Sequence, residues 1–162
     1  MLYTSSMADA YYLKRRDLFL GKELKHGESG SNKFIRLAKR NAGTWKRPVH
    51  EVWDVTGEIG ELKTPIDHDS ARSLTEFVSK LNAYTTRNVE YLRKQGVKSS
   101  AWDILAFPTG KFLQNYLLKR GFLDGSHGFV HAVLMSFHSF LTRGKLYLLW
   151  NKKPDEPCHY ND

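Results

Sequence analysis

The chain has 162 residues and a formal charge of +8, from 25 Lys and Arg against 17 Asp and Glu, with 41% hydrophobic and 13% aromatic residues. That composition excludes wholesale disorder, and the length allows a core burying roughly 70% of the unfolded chain's surface. The single cysteine, Cys158, excludes an intrachain disulfide framework or Cys-based zinc site and fits a reducing compartment, while the basic balance suits an anionic partner.

In chain order, Tyr11–Leu13 and Leu18–Leu20 read as short strands, with Gly21 as a turn. His26–Asn32, rich in Gly and Ser, reads as a mobile loop before a strand at Phe34–Leu37. Val49–Val55 alternates with a period near two, and Thr56-Gly57 turns it toward a partner strand at Ile59–Ile66, where Pro65 limits pairing. Beyond residue 70 the period becomes helical. Asp69 or Ser70 caps a helix through Leu74, Phe77, Leu81, Tyr84, Val89 and Leu92, which Gly96 stops. A second helix opens at Pro108 and ends at Gly121, and a third carries Val130 to Leu141. The expected fold class is α+β, with short antiparallel strands followed by about three helices. Residues 1–69 form the strand-rich part, 70–151 the helical part and 152–162 a polar tail.

The familiar phosphate loops, the nucleophile elbow and the zinc-protease motif do not occur in the sequence. No run of about 18 apolar residues marks a spanning helix, and no charged segment leads into an apolar run at the start. A cytoplasmic chain, peripheral at most on a membrane, is the expectation.

The densest cluster of chemically useful groups is His50-Glu51, followed by Asp67-His68-Asp69 at the end of the next expected strand. A carboxylate at a strand end can take a proton from a substrate hydroxyl, and an imidazole beside acids can ligate a divalent ion. Strand neighbours point to opposite faces, so one of His50 and Glu51 is structural. The bland alternative is a His bonded to backbone with acids solvating an edge.

Val49-His50-Glu51, Gly60-Glu61-Leu62 and Ile66-Asp67-His68, together with Phe34–Leu37, Lys80–Tyr84, Pro108–Phe112 and Tyr116–Phe129, resemble the later half of bacterial family 2 glycosyltransferases, the lipopolysaccharide-core type above all. The resemblance spans about Tyr11 to Tyr147. It implies the later part of a GT-A fold and an inverting transfer of sugar from a nucleotide-diphosphate donor to a glycan or lipid-linked acceptor. Glu51 matches the catalytic base, and His68 the late His that helps hold magnesium or manganese on the donor diphosphate. Asp67-x-Asp69 spells the family's metal motif at the wrong place, a coincidental match. The family's donor-binding sheet precedes the matched region, so the resemblance further implies a fragment or half of a split enzyme, inactive without a donor-binding half.

Asp124-Gly125-x-x-Gly128 lies before a helix N-terminus, where backbone N–H groups bind anions, although Asp124 itself repels them. His50, Asp124, Gly125 and Lys119 are therefore acceptor- or donor-binding candidates, with helix capping and solvated charge as the competing roles for the last three. His127, His131 and His138 share one helical face, more in keeping with a polar stripe than a metal site. The segment Phe129–Lys153 is either core or a membrane-surface element, with Leu146–Trp150 the better membrane candidate. A separate reading is a small nucleic-acid-binding module using Arg15, Arg16, Lys39, Arg40, Lys46 and Arg47 around Trp45. Dispersed basic residues and the lack of a recognition-module signature make nucleic acid the less favoured partner.

Overall fold

A computed structural model of the protein describes residues 8–29, 32–46, 52–69 and 71–151. The fold is α+β, as expected: among the described residues six strands lead into three α-helices. Strand β1, Ala10–Phe19, is the central one. Its odd-numbered residues from Tyr11 to Phe19 are buried or half-buried, and they alternate with exposed Tyr12, Lys14 and Arg16. Such alternation is the mark of a strand with one covered face.

Leu20 and Gly21 both have positive φ and form the two-residue turn that folds β2, Lys22–Glu23, back onto β1, with Phe19 opposite Lys22. Strand β3, Lys33–Ala38, pairs antiparallel with the first half of β1. Strands β4, Gly43–Lys46, and β5, Val52–Val55, form a separate antiparallel pair in which Trp45 faces Trp53, their rings stacked at 5.1 Å.

The sheet departs from the sequence expectation at β6, Ile59–Asp69. This segment was expected to return against the preceding strand; instead it runs parallel to β1, from Ala10↔Ile59 to Leu18↔Asp69. The physical reason is that β5 takes β4 as its partner, while β1 offers a full-length edge to β6. Pro65 falls where the register slips, between Leu13↔Leu62 and Arg15↔Ile66, the position in a ladder that tolerates a missing N–H.

Helix α1, Leu74–Lys94, is capped by Ser73, whose Oγ accepts the Glu76 N–H at 3.1 Å, while Glu76 accepts the Arg72 N–H. The cap therefore lies beyond the expected Asp69 or Ser70; Asp69 still belongs to β6, and Ser70 lies outside the described residues. Gly96, at φ +73°, ends the helix as expected. Helix α2, Ala101–Leu113, begins a full two turns before the expected Pro108, because Ser100 and Asp103 form a reciprocal capping box. Pro108 is accommodated inside the helix, and Ser136 Oγ donates to its carbonyl at 2.7 Å. A π-helical turn, Gln114–Leu118, and a short 3₁₀ turn, Gly121–Asp124, lead into α3, Gly125–Trp150, which is longer than expected. At Gly128 a Cβ would lie 2.0 Å from the Gly121 carbonyl oxygen, so only glycine lets the start of α3 pass that backbone.

Phe19 and Leu24 of the β1–β2 region meet Leu81 of α1 and Leu134 of α3 in one core, with Phe77 edge-on to Phe19 at 5.3 Å. Asp124 ties the turn before α3 to the segment after β2. Its buried carboxylate accepts the Lys25 and His26 N–H groups and lies 2.9 Å from His26 Nδ1. The Gly27 N–H donates to the Lys119 carbonyl, and Glu28 pairs with Lys111 and Asn115. Residues 26–28, expected to belong to a mobile loop, are thus bonded to the helical layer.

Burial pushes the Asp124 carboxyl up, but the His26 side chain and the His26 and Lys25 N–H groups more than offset it and hold the group below the ordinary carboxylate range. A depressed folded pKa contributes stability that is full above the unfolded value, near 3.8, and lost as pH falls through the folded one. Asp124→Asn is expected to cost about 1–3 kcal/mol at neutral pH, with the deficit narrowing below pH ~4. Urea melts at several pH values check this, and a constant deficit would contradict it.

Candidate functional site

The register of β1 against β6 places Asp17 opposite His68 and Arg16 opposite Asp67. Side chains of paired residues leave the same face, and neighbours along each strand leave opposite faces. Two different ion pairs result. On the outer face, Arg16 binds Asp67 through two 2.6 Å bonds, and this guanidinium holds the Asp67 carboxyl below its ordinary range. Asp67 is thereby occupied, which fits the coincidental reading of Asp67-x-Asp69.

On the covered face, Asp17 is 5% exposed and is the hub of a polar knot. The Arg15 guanidinium reaches both its oxygens, at 2.6 and 3.0 Å. Asn32 Nδ2 donates at 3.1 Å, and His68 Nδ1 stands 3.1 Å from Oδ1. A carboxylate accepts, so Nδ1 is the donor to Asp17, and in the neutral imidazole this tautomer leaves the Nε2 lone pair facing away from the carboxylate. A carboxylate behind an imidazole in this way orients a metal-binding or proton-handling His.

The knot borders a cavity of about 340 Å³ lined by Arg15, Asp17, Glu28, Asn32, His68 and His131 among others. A second cavity of about 450 Å³ lies beside it, and Arg15, His68 and Met135 line both. His131 packs edge-on against Phe19 at 5.3 Å, and burial lowers its pKa despite the opposing influence of Glu28, Asp17 and Asp124. It is a neutral imidazole at pH 7. Burial raises the Glu28 carboxyl, yet Lys111 and Asn115 bring it below the ordinary range, so this wall carries a stable negative charge.

Of the residues predicted from sequence, His68 lies at the cavity and Asp124, Gly125 and Lys119 cluster at the turn before α3. There Asp124 spends its carboxylate on the β2-following segment, and Gly125, at φ +66°, shapes the turn. His50 and Glu51 lie outside the described residues, in the stretch connecting β4 to β5. Asp17, Asn32 and Glu28 were missed as site residues; a lone acid inside a basic strand, Lys14-Arg15-Arg16-Asp17, was the one available signal. Among the described residues no group of three or more His, Cys, Asp or Glu is arranged to hold a metal ion. The Asp17–His68 pair has the chemistry to offer a single imidazole ligand.

The basic residues considered for nucleic acid are largely committed to carboxylates: Arg15 to Asp17, Arg16 to Asp67, Lys39 to Asp9 and Lys46 to Asp54. Neutralised cations offer little to a phosphate backbone. Leu146–Trp150 is also a poor free membrane segment. Leu146 is fully buried, and Trp150 Nε1 donates to the Val97 carbonyl. Among the described residues no helix is long and apolar enough to cross a membrane.

No known family profile matches the chain, and no solved structure is similar to it. It is similar to uncharacterized glycosyltransferases of Rickettsia prowazekii, 27% identical over 158 residues, and Rickettsia typhi, 26% identical over 147 residues. These matches cover 90% and 85% of this chain but 54% and 50% of the relatives. A Rickettsia felis relative of the same description is 31% identical over 93 residues, 57% of this chain. The chain thus spans about half the length of the first two relatives.

Asp17→Ala removes the hub and leaves Arg15 and His68 without their acceptor. It is expected to cost about 1–3 kcal/mol in urea unfolding. In nitrogen-edited NMR the His68 proton should redistribute between the two ring nitrogens. An unchanged tautomer in a folded variant would show that Asp17 does not orient the ring.

Proposed function

We propose that this chain is the acceptor-side, catalytic part of an inverting glycosyltransferase of the family 2, GT-A type, acting in cell-envelope polysaccharide synthesis on the cytoplasmic face of the membrane. The observation that carries the reading is the buried Asp17 holding His68 by Nδ1 at a cavity, at the position where the family resemblance places a metal-ligating His. The similarity to named glycosyltransferases over 90% of the chain supports it. The donor is a nucleotide-diphosphate sugar, bound together with a donor-binding region, and the acceptor is a hydroxyl of a glycan or lipid-linked sugar.

In this mechanism Glu51 accepts the acceptor's hydroxyl proton while that oxygen attacks the anomeric carbon. The bond from that carbon to the diphosphate oxygen breaks, the electron pair leaves with the nucleotide diphosphate, and the configuration inverts. His68 would offer Nε2 as one ligand to a divalent metal, magnesium or manganese, and such a metal would supply charge neutralisation for the departing diphosphate. Asp17 keeps the imidazole in the correct tautomer, and the Arg15 guanidinium holds the Asp17 carboxylate in place. His131, neutral and buried, adds no positive charge that would compete with the metal.

The isolated chain is expected to transfer no sugar. Expressed with a donor-binding region that restores activity, Glu51→Gln should lower kcat by about 10²–10⁴-fold with little change in donor affinity. His68→Ala should raise the metal concentration needed for half-maximal rate by about 10-fold or more. Full turnover by the isolated chain would overturn the division of labour, and an unchanged rate in Glu51→Gln would remove Glu51 as the base.

A further inference from the structure

Helix α2 contains no buried residue. Its outer side presents Trp102, 76% exposed, and Leu105, 60% exposed, and continues through Leu113 to Leu117 in the π-helical turn. The spacing of three, eight and four residues keeps these side chains on one stripe. Helix α3 meets α2 along a seam marked by the Ser136–Pro108 bond and by Arg143, whose guanidinium lies 3.7 Å from the Phe107 ring centroid. One position from that seam, Val133 and Phe140 also face solvent. A soluble surface seldom exposes so many large apolar side chains on two neighbouring helices, and such a set calls for an occupant.

The charges around it identify which. Residues 101–142 contain only Asp103, Lys111, Lys119, Arg120 and Asp124 as charged groups. Asp103 is spent in the α2 capping box, Asp124 is buried on the β2-following segment, and Lys111 is paired with Glu28. What remains is cationic: exposed Lys119 and Arg120 at one end, with Arg143 over Phe107 and Lys98 over Trp150 toward the other. A second copy of the chain would set this cationic rim against its like, on molecules of formal charge +8 each. An anionic bilayer offers the complement on both counts, acyl carbon for the stripe and phosphate for the rim.

We propose that the outer face of α2 and the adjoining stripe of α3 lie flat on an anionic phospholipid bilayer. The apolar side chains sit at the headgroup–acyl boundary, and Lys119, Arg120, Arg143 and Lys98 sit among the phosphates. The Trp102 indole, exposed and amphipathic, sits at the depth where tryptophans concentrate. The surface deepens the reading above by naming where a lipid-linked acceptor is met. Its test needs neither donor nor acceptor, so its failure would leave the transfer assays standing.

The full chain should co-sediment with vesicles of phosphatidylcholine and phosphatidylglycerol at about 7:3, less well with phosphatidylcholine alone, and progressively less as salt rises. Brominated acyl chains should quench part of its tryptophan fluorescence, and that part should vanish in Trp102→Phe. The double variant Trp102→Glu, Leu105→Glu replaces exposed side chains, so it should unfold at the wild-type temperature yet bind vesicles about tenfold or more weakly. Lys119→Glu with Arg120→Glu should weaken binding without touching the core. No binding to the anionic vesicles would overturn the proposal, as would equal binding by wild type and the Glu variant. Self-association, or a donor-binding region, that shields Trp102 in preference to vesicles would assign the face to protein instead.

Discussion

The parallel register of β1 against β6 sets Asp17 beside His68 on the covered face and Arg16 beside Asp67 on the outer one. Because a strand alternates its side chains, one register decides both pairings at once; a slip of a single residue would put His68 outside and Asp67 within. The same alternation sends Phe19 into the core against Phe77 and His131, two positions from Asp17. The hydrophobic anchor and the polar knot are therefore consecutive teeth of one strand. Packing at Phe19 fixes the height of Asp17, and Asp17 fixes His68.

Around that strand the helical layer does two jobs. Its inner side closes the core through Leu81 and Leu134 and walls the cavity with His131 and Met135. Its turn before α3 clasps the segment after β2 through Asp124 and Lys119, and Glu28 is drawn toward Lys111 and Asn115. The site is thus held by carboxylates that accept several donors each, an arrangement that costs desolvation and returns rigidity where every donor is matched. The outer side of the layer is under no such demand from the core. The stacked Trp45–Trp53 pair, by contrast, stabilises a two-stranded antiparallel pair that would be marginal alone.

Local chemistry was readable wherever a few neighbouring residues decide the outcome. The Gly21 turn, the stop at Gly96 and the helical period from Leu74 to Leu92 are of this kind. Reading was weaker where two local signals compete. Pro108 favours a helix start, but Ser100 and Asp103 make a stronger one upstream through their reciprocal capping box. The strand at Ile59–Asp69 was visible as a strand, whereas its partner was not, since nothing in an alternating pattern names the edge it will join.

By itself the sequence determined the class of fold, the order of strands before helices, the glycine-bound turns and the net positive charge. Tertiary structure alone decided that Asp17 stands behind His68, although 51 residues separate them, and that Arg16, Lys39 and Lys46 are matched to acids rather than free for phosphates. It also decided that Leu146 is core while Trp102 faces outward. Periodicity tells a residue which side of its own element it occupies, but what lies on that side is settled only when register and packing bring distant elements together.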